Sequence, residues 1–223
     1  MTGAARGRFI TLEGGEGAGK SVQAERLAAR LNSLGLKVVR TREPGGSPGA
    51  ELLREALLSG FGAEFGPEGE ALLFAAARID HLDQTIAPAL ARGAWVVCDR
   101  FADSTRAYQG AAGNLPQGWI ARLEEIAVGP VRPDLTLVLD IPPDVGLERA
   151  RRRGGEAAGD RFELEGLAFH ETLRAAFLAI AASEPHRCAV VDAAKSEEEV
   201  AADIWSAVEA RLSPARPLAL TKP

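Results

Sequence analysis

Five short apolar runs alternate with longer segments of helical period along this chain, and this alternation is the strongest constraint on its fold. The runs are predicted strands at 8–14, 36–41, 94–100, 134–141 and 188–193. Each is largely apolar through its middle, as expected for a strand covered on both faces. Helices are predicted at roughly 20–34, 48–58, 68–91, 117–127, 143–153, 163–182 and 197–211. This order predicts an α/β fold, a five-stranded parallel sheet flanked by helices, with ligands at the carboxyl ends of the strands.

The length of the chain predicts one domain with two irregular parts. The 223 residues suffice for one large core, and we place the domain at 1–212. A basic helix that becomes rich in glycine and alanine predicts a mobile, arginine-rich lid at about 149–162. Residues 213–223 contain three prolines and are predicted to form a flexible tail.

Composition excludes several classes of partner. The formal net charge is −5, so no basic surface suggests binding to a nucleic acid polymer. No segment is apolar enough for a signal peptide or a membrane span. The two cysteines, Cys98 and Cys188, lie far apart in apolar runs and are interpreted as buried thiols. We therefore expect a cytoplasmic protein that has neither a nucleic acid polymer nor a membrane as its partner.

The segment "GGEGAGKS" at 14–21 matches the phosphate-binding pattern G-x-x-x-x-G-K-[ST]. It lies between a predicted strand and a predicted helix, where glycines let backbone N–H groups and the helix N-terminus face an anion. Lys20 can reach the β- and γ-phosphates, and Ser21 can ligate Mg²⁺. The predicted ATP-binding residues of this loop are Gly14, Gly15, Glu16, Gly17, Ala18, Gly19, Lys20 and Ser21.

A second anionic substrate is indicated by arginines near the predicted strand ends. The chain has no Asn-Lys-x-Asp run that would specify guanine. Asp99 and Arg100 close the third predicted strand, where Asp99 can hold Mg²⁺ directly or through water and Arg100 can bind a phosphate. A surface Asp-Arg pair is the alternative interpretation. Asp140 ends another strand and is a rival metal ligand, for which a structural role is favoured.

A base-binding surface is suggested on the predicted helix around residue 75. Phe74 and Arg78 are four residues apart and share a face, which suits stacking on a pyrimidine and hydrogen bonding to it. Without further support, a core phenylalanine beside a solvated arginine is the favoured interpretation of this pair. Thr105, Tyr108 and Gln109 follow Arg100 closely and can contact a base and a sugar.

The stretches "EGGEGAGKS", "TREPGGS…AELLR", "LLFAAARIDHL", "DRFADSTRAYQG" and "RARRRGG…DRFE" resemble the bacterial thymidylate kinases in content and order, from residue 8 to about 205. "TREPGG" and "DR-x-x-x-S-x-x-A-Y-Q-G" are the most specific of them, because generic P-loop proteins lack both. The resemblance implies the P-loop nucleoside-monophosphate-kinase fold with a short arginine-rich lid. It also implies phosphorylation of dTMP to dTDP by ATP and Mg²⁺, for dTTP synthesis, in a homodimer.

The resemblance also assigns roles within the acceptor site. Phe74 would stack on thymine, Arg78 would bond its O4 edge, Thr105 would lie near N3, and Arg54 and Arg100 would clamp the phosphate. Tyr108 and Gln109 would pack around base and sugar, leaving no room for a 2′-hydroxyl. The implied dTMP-binding residues are Glu43, Pro44, Arg54, Phe74, Arg78, Arg100, Thr105, Tyr108 and Gln109. Glu43 would order this pocket.

Charges at the transferring phosphoryl group complete the predicted site. Glu16 would accept a hydrogen bond from the dTMP 3′-hydroxyl, or orient a lysine, an arginine or metal-bound water. The loop itself lacks an arginine, so the lid must supply one from among Arg149, Arg151, Arg152, Arg153 and Arg161. We assign Arg153 to the transition state and Arg149 to ATP, and a solvated basic helix end is the alternative interpretation for two of the five arginines. The predicted catalytic residues are Lys20, Glu16, Arg100 and Arg153.

Two alternative functions remain at this stage. A related kinase could prefer dUMP, dCMP or a nucleoside as its acceptor. A nucleotide-dependent binding switch would hydrolyse ATP slowly and would ignore dTMP. The paired arginine clamps argue against the switch, because a switch has no use for a second phosphate site.

Overall fold

The computed structural model describes residues 6–154 and 161–214 and contains the predicted five-stranded, all-parallel sheet. The strand order is β2-β3-β1-β4-β5, with helices on both faces. The strands are β1 Phe9–Glu13, β2 Val38–Arg42, β3 Trp95–Asp99, β4 Leu135–Asp140 and β5 Cys188–Asp192.

The connections between strands are helical. The α-helices of the described ranges are α1 Lys20–Ser33, α2 Pro48–Leu58, α3 Gly66–His81, α4 Ala87–Ala91, α5 Ala102–Thr105, α6 Gln117–Val128, α7 Pro143–Gly154, α8 Leu167–Ser183 and α9 Glu197–Leu212. Short 3₁₀ segments occur at Phe61–Phe65 and Arg161–Leu164, and π-helical turns occur at Leu82–Ile86 and Arg106–Ala112. Lid residues 155–160 and tail residues 215–223 lie outside the described part of the chain.

The single helix predicted over 68–91 is divided into α3, a π-helical turn and α4. Pro88 has no N–H, so it cannot donate the α-helical bond to the carbonyl of Gln84. Immediately before it, the N–H of Ala87 donates to the carbonyl of Leu82, which is the wider π pattern. Missing donors of this kind disturb a helix locally without ending it.

Not every strand is covered on both faces, so the sequence-based expectation was wrong for the two edges of the sheet. The central strands β1, β3 and β4 are buried along nearly their whole length. The edge strands β2 and β5 are partly exposed, and Val190 on β5 keeps 51% of its surface accessible. Apolar composition alone does not distinguish a central strand from an edge strand.

Two apolar layers hold the helices against the sheet. On one face, Ile10 and Leu12 of β1 pack with Leu27 of α1 and Val208 of α9. On the other face, Phe9 packs edge-on against Phe101 at a centroid distance of 5.0 Å. Each fully buried large side chain stabilises the fold by about 1.5–3 kcal/mol relative to exposure. Alternate residues of one strand therefore anchor both layers.

The parallel register places several loops at one edge of the sheet. Leu12 lies opposite Asp99, and Asp99 lies opposite Arg42, so the segments after β1, β2 and β3 emerge side by side. No helix in the described ranges is long and apolar enough to cross a bilayer.

Candidate active site

The loop after β1 is shaped by glycines that no other residue could replace without strain. Gly14, Gly17 and Gly19 have φ values of 136°, 68° and 82°, in the range that side chains rarely adopt. A Cβ on Gly17 would lie 1.8 Å from the carbonyl oxygen of Gly146 on α7. The loop therefore packs backbone against backbone at this contact.

Lys20 begins α1 and folds back over this loop. Its Nζ donates to the carbonyl oxygens of Gly15 at 2.6 Å and Gly14 at 3.1 Å. Burial, followed by the positive charge of Arg100, lowers its pKa to about 8. An ammonium group has three N–H donors, so one remains for a phosphate oxygen.

Ser21 and Asp99 form a pair of oxygen ligands beside the loop. The Ser21 hydroxyl donates to Asp99 Oδ2 at 2.5 Å. Mg²⁺ is commonly held by one or two protein oxygens together with substrate phosphates and waters, and this pair fits that pattern. Within the described ranges, no three His, Cys, Asp or Glu side chains cluster as a metal cage. A metal ion here would take its remaining ligands from phosphate and water.

The rival metal ligand Asp140 is occupied by an arginine. Arg174 of α8 donates to its two carboxylate oxygens, from Nε at 2.7 Å and from Nη2 at 2.9 Å. This bidentate pair ties the end of β4 to α8. Its geometry agrees with the structural role favoured for Asp140.

Glu16 bridges the phosphate loop to the segment after β3. Its Oε1 accepts hydrogen bonds from Arg100 Nη2 at 2.6 Å and from the Tyr108 hydroxyl at 2.5 Å. Burial alone would raise the pKa of Glu16, but the charges of Arg100 and Lys20 and the Tyr108 bond lower it to about 2. Glu16 is therefore an anion that holds Arg100 in place.

Arg100 stands on a strained turn. Its φ is 69°, a left-handed conformation that costs a non-glycine residue roughly 1–2 kcal/mol. Its guanidinium donates to Glu16, to the Gly14 carbonyl at 3.2 Å and to Ser104 Oγ at 3.5 Å. The cost of this conformation is consistent with a functional position for the guanidinium.

A cavity of about 440 Å³, measured to its open mouth, adjoins the phosphate loop. Most of the predicted acceptor residues line it, namely Glu16, Glu43, Pro44, Phe74, Arg78, Arg100, Thr105, Tyr108 and Gln109. The sequence did not single out four further lining residues, Leu58, Phe101, Ser104 and Phe162. We call this space the acceptor cavity.

Arg78 is buried in the wall of the acceptor cavity. Only 4% of its surface is exposed, so the alternative of a solvated arginine was wrong. It donates to Glu43 Oε2 at 2.7 Å, to Thr105 Oγ1 at 3.1 Å and to the Phe101 carbonyl at 3.1 Å. These bonds use three of its five N–H groups, so two can serve a ligand.

Glu43 connects Arg78 to a histidine that the sequence did not identify as a candidate. Its second oxygen lies 3.1 Å from His81 Nδ1, and His81 Nε2 lies 2.7 Å from Thr41 Oγ1. These contacts are those of a residue that orders the pocket. The three-residue spacing from Arg78 to His81 on one helix is the sequence signal that could have identified His81.

Gln109 has a buried partner that the sequence did not identify. Its Nε2 donates to Glu70 Oε1 at 3.0 Å, and both side chains are buried. Glu70 precedes Phe74 and Arg78 at four-residue spacing on α3, so all three face the acceptor cavity side of the helix.

Arg54 and Arg149 lie outside the acceptor cavity wall. Arg54 does not line it but donates from Nη1 to the Pro44 carbonyl at its edge, at 2.6 Å. Arg149 on α7 donates to the carbonyls of Ala193 at 2.7 Å and Ala194 at 3.0 Å. Arg149 thus reaches the loop between β5 and α9.

The structure describes only some of the lid arginines and so does not identify the one that acts in the transition state. The side chains of Arg153 and Arg161 lie outside the described part of the structure. Arg152 is exposed and pairs with Glu148 at 2.5 Å. The choice among the lid arginines stays a prediction.

Comparisons with known proteins agree on one family. The family model described as thymidylate kinase matches residues 12–204. The thymidylate kinase of Bradyrhizobium diazoefficiens is 54% identical over 209 residues, covering 94% of this chain and 92% of the relative. That of Afipia carboxidovorans is 56% identical over 212 residues, covering 95% and 93%. The crystal structure of the Ehrlichia chaffeensis thymidylate kinase superposes with a TM-score of 0.73 at 32% identity, covering 91% of this chain and 99% of that one.

Proposed function

This chain belongs to the thymidylate kinase family and phosphorylates dTMP to dTDP with ATP, and we propose how its residues divide that work. The loop from Gly14 to Ser21 binds the ATP phosphates, and Lys20 donates to the transferring group. The acceptor cavity takes dTMP. The observation that carries this division is the Glu16–Arg100 pair, which lies at the boundary of the two sites.

The metal of the reaction is proposed to be Mg²⁺. Enzymes of this family use a divalent metal ion with ATP. Ser21 and Asp99 would hold the ion together with phosphate oxygens, and when bound it would neutralise charge on them. The protein's own part is to present these two oxygens next to Lys20.

Transfer needs charge neutralisation more than a strong base. The attacking oxygen belongs to the dTMP phosphate and is already an anion. Lys20 and Arg100 converge on the boundary between donor and acceptor, and Glu16 keeps Arg100 there. We assign the additional transition-state charge to Arg153 and the ATP side to Arg149. On this assignment, Arg153→Ala lowers kcat much more than dTMP affinity.

Recognition of thymidine is assigned to the wall of the acceptor cavity. Phe74 offers a ring for stacking, and the remaining N–H groups of Arg78 can donate to a carbonyl edge of the base. Tyr108 packs among Phe162, Phe169 and Phe177, with ring centroids 5.1–6.3 Å apart, so its position is fixed. A fixed ring against the sugar excludes a 2′-hydroxyl. Arg54, at the edge of the acceptor cavity, would bind the dTMP phosphate together with Arg100.

The test of this function is ADP release from ATP and Mg²⁺ with each nucleoside monophosphate in turn. We expect strong turnover with dTMP, weak turnover with dUMP and almost none with UMP. Equal turnover with dUMP would contradict the base assignment. Slow ATP loss that is indifferent to every acceptor would contradict the whole proposal and favour the binding switch.

The protein is proposed to work as a homodimer. Two large apolar side chains of α3, Leu72 and Ile79, are exposed and form a stripe at seven-residue spacing. Elements that contact α3 carry further exposed apolar residues, namely Leu52, Phe61, Phe65 and Ile126. A patch of this kind marks an interaction surface, and a second copy of the chain is the partner that the family suggests.

The free, buried thiols of Cys98 and Cys188 fit a proposed cytoplasmic location.

A further inference from the structure

The turn after β3 must hold Arg100 in a conformation that its backbone does not prefer. Among the described non-glycine residues, Arg100 shares a positive φ only with Asn114 and Ser213. Its N–H donates to the Leu12 carbonyl at 2.9 Å, which fixes the turn on the side of β1. This bond leaves the opposite side, the segment from Phe101 to Ser104, to be fixed by another group.

Glu13 is that group. It is the last residue of β1 and is fully buried. Its Oε1 accepts from the N–H of Phe101 at 2.8 Å, and its Oε2 accepts from the Ser104 hydroxyl at 2.6 Å. Both oxygens of one carboxyl thus hold the residues that follow Arg100. No sequence argument had drawn attention to Glu13, although it directly precedes the phosphate loop.

Glu13 also reaches the Arg100 side chain through one intermediate. The Ser104 hydroxyl donates to Glu13, and its oxygen also accepts from Arg100 Nη1 at 3.5 Å. The same Nη1 donates to the carbonyl of Gly14, the residue next to Glu13 in the chain. The carboxyl therefore fixes both the backbone and the side-chain surroundings of Arg100.

Glu13 itself does not line the acceptor cavity, so it acts through other residues. Burial, followed by the negative charge of Asp103, raises the pKa of Glu13 to about 8. Asp103 is held in turn by Arg187, at 2.7 Å and 2.9 Å. Burying a carboxyl group at such a site costs free energy, so its presence is explained best by a need for its two hydrogen bonds.

We propose that Glu13 is a positioning residue for phosphoryl transfer, which holds the turn of Arg100 so that the guanidinium meets Glu16 and the acceptor phosphate. The inference rests on the role proposed above for Arg100. The contact residues, Phe101 and Ser104, belong to the wall of the acceptor cavity, whereas the ATP loop keeps its own glycine-determined shape. Removing Glu13 should therefore affect the acceptor more than ATP.

The experiment compares steady-state kinetics of Glu13→Ala, Glu13→Gln and a matched control. Because misplacing a positioned group costs on the order of 10²-fold, Glu13→Ala should lower kcat/KM for dTMP by about that factor, with KM for ATP nearly unchanged. Glu13→Gln should recover most of the loss, since its amide oxygen can accept from Phe101 and its NH₂ can donate to Ser104. The control, Glu124→Gln, neutralises a largely buried carboxylate that accepts from Arg106 at 2.6 Å and should leave both KM values unchanged.

A double-mutant cycle with Arg100→Ala separates positioning from a general structural effect. In the Arg100→Ala background, Glu13→Ala should add little to the loss in dTMP kinetics, because the two residues act as one unit. Additive losses would overturn the inference. If Arg100→Ala alone leaves dTMP kinetics unchanged, then the proposed role of Arg100 fails, and the inference fails with it.

A second variant covers the case in which Glu13→Ala does not fold. Ser104→Ala keeps the bond from Phe101 to Glu13 and removes only the hydroxyl between Glu13 and Arg100. A fall in kcat/KM for dTMP of less than about 10²-fold, with KM for ATP unchanged, supports the inference. Unchanged dTMP kinetics, or an equal effect on both substrates, contradicts it.

Discussion

Glu16 shows how one residue can join two halves of a site. A carboxylate within an anion-binding loop is unfavourable for phosphate unless its charge is compensated. Here the short bonds from Arg100 and Tyr108 provide that compensation, and they leave Arg100 oriented along the proposed boundary between donor and acceptor. Of the roles considered from sequence, the contacts with Arg100 favour orientation of an arginine.

The first prediction concerns the acid stability that Glu16 provides. Its folded-state pKa of about 2 lies below the ordinary 4.5, so its contribution is present above pH 4.5 and is lost as the pH falls toward 2. Between pH 5.5 and 3.5, wild type should lose about 1 kcal/mol of unfolding free energy more than Glu16→Gln. Urea unfolding at several pH values measures this difference. The difference in unfolding free energy between wild type and Glu16→Gln should stay constant above pH 5.5. If the unfolding free energies of the two proteins fall with equal slopes below pH 5.5, the prediction is contradicted.

At the scale of elements, the phosphate loop is fixed by its contact with α7. The carbonyl of Glu16 lies against Gly146 in the first turns of α7, with room for no side chain between them. Farther along the same helix, Arg149 binds the carbonyls of the β5–α9 loop. The helix that leads into the predicted lid is thus anchored on both sides of the proposed ATP site.

The second prediction tests the contact between loop and helix with a matched pair of helical glycines. Alanine is intrinsically better than glycine in a helix by about 1 kcal/mol. At Gly146, however, its Cβ would lie 2.4 Å from the Glu16 carbonyl oxygen, whereas at Gly118 on α6 nothing lies within 4 Å.

Gly118→Ala should therefore be neutral or slightly stabilising, and Gly146→Ala should destabilise the protein by about 1–3 kcal/mol. The Gly146→Ala variant should also show weaker ATP binding, because the loop must move. Thermal unfolding and ATP titration measure both effects. Similar behaviour of the two variants would mean that the loop does not depend on this contact.

At the scale of the whole molecule, α3 serves two surfaces. Glu70, Phe74 and Arg78 face the acceptor cavity side, whereas Leu72 and Ile79 face outward on the exposed apolar stripe. A homodimer formed through this stripe would pack directly behind the residues that are proposed to bind the base. Assembly and acceptor binding would then share one helix.

The third prediction tests that assembly. Leu72 is 53% exposed, and Leu72→Glu places a charge in the stripe, where burying it unpaired is costly. We expect the variant to sediment as a monomer where wild type sediments as a dimer. Val190→Glu, at a comparably exposed apolar position on β5, should leave the dimer intact. A monomeric wild type, or a dimeric Leu72→Glu variant, would contradict the proposed interface.

The parts of the site that the sequence predicted well are those formed by consecutive residues. The glycines of the loop at 14–21 determine its backbone directly, and Asp99 and Arg100 lie at the sheet edge because a parallel strand ends there. Alternation of strands and helices likewise predicted the five-stranded parallel sheet. These features depend on local conformation and on chain connectivity, which a sequence contains.

Only the tertiary structure decided which side chains are buried together. Arg78 could not be recognised as buried until Glu43, Thr105 and the Phe101 carbonyl came together from three different segments. Glu13 could be read as one more strand residue until the turn after β3 was placed over it. The sequence by itself thus determined the phosphate loop, the sheet and the family, whereas packing decided the partners of the buried charges, because desolvation and pairing depend on residues distant in the chain.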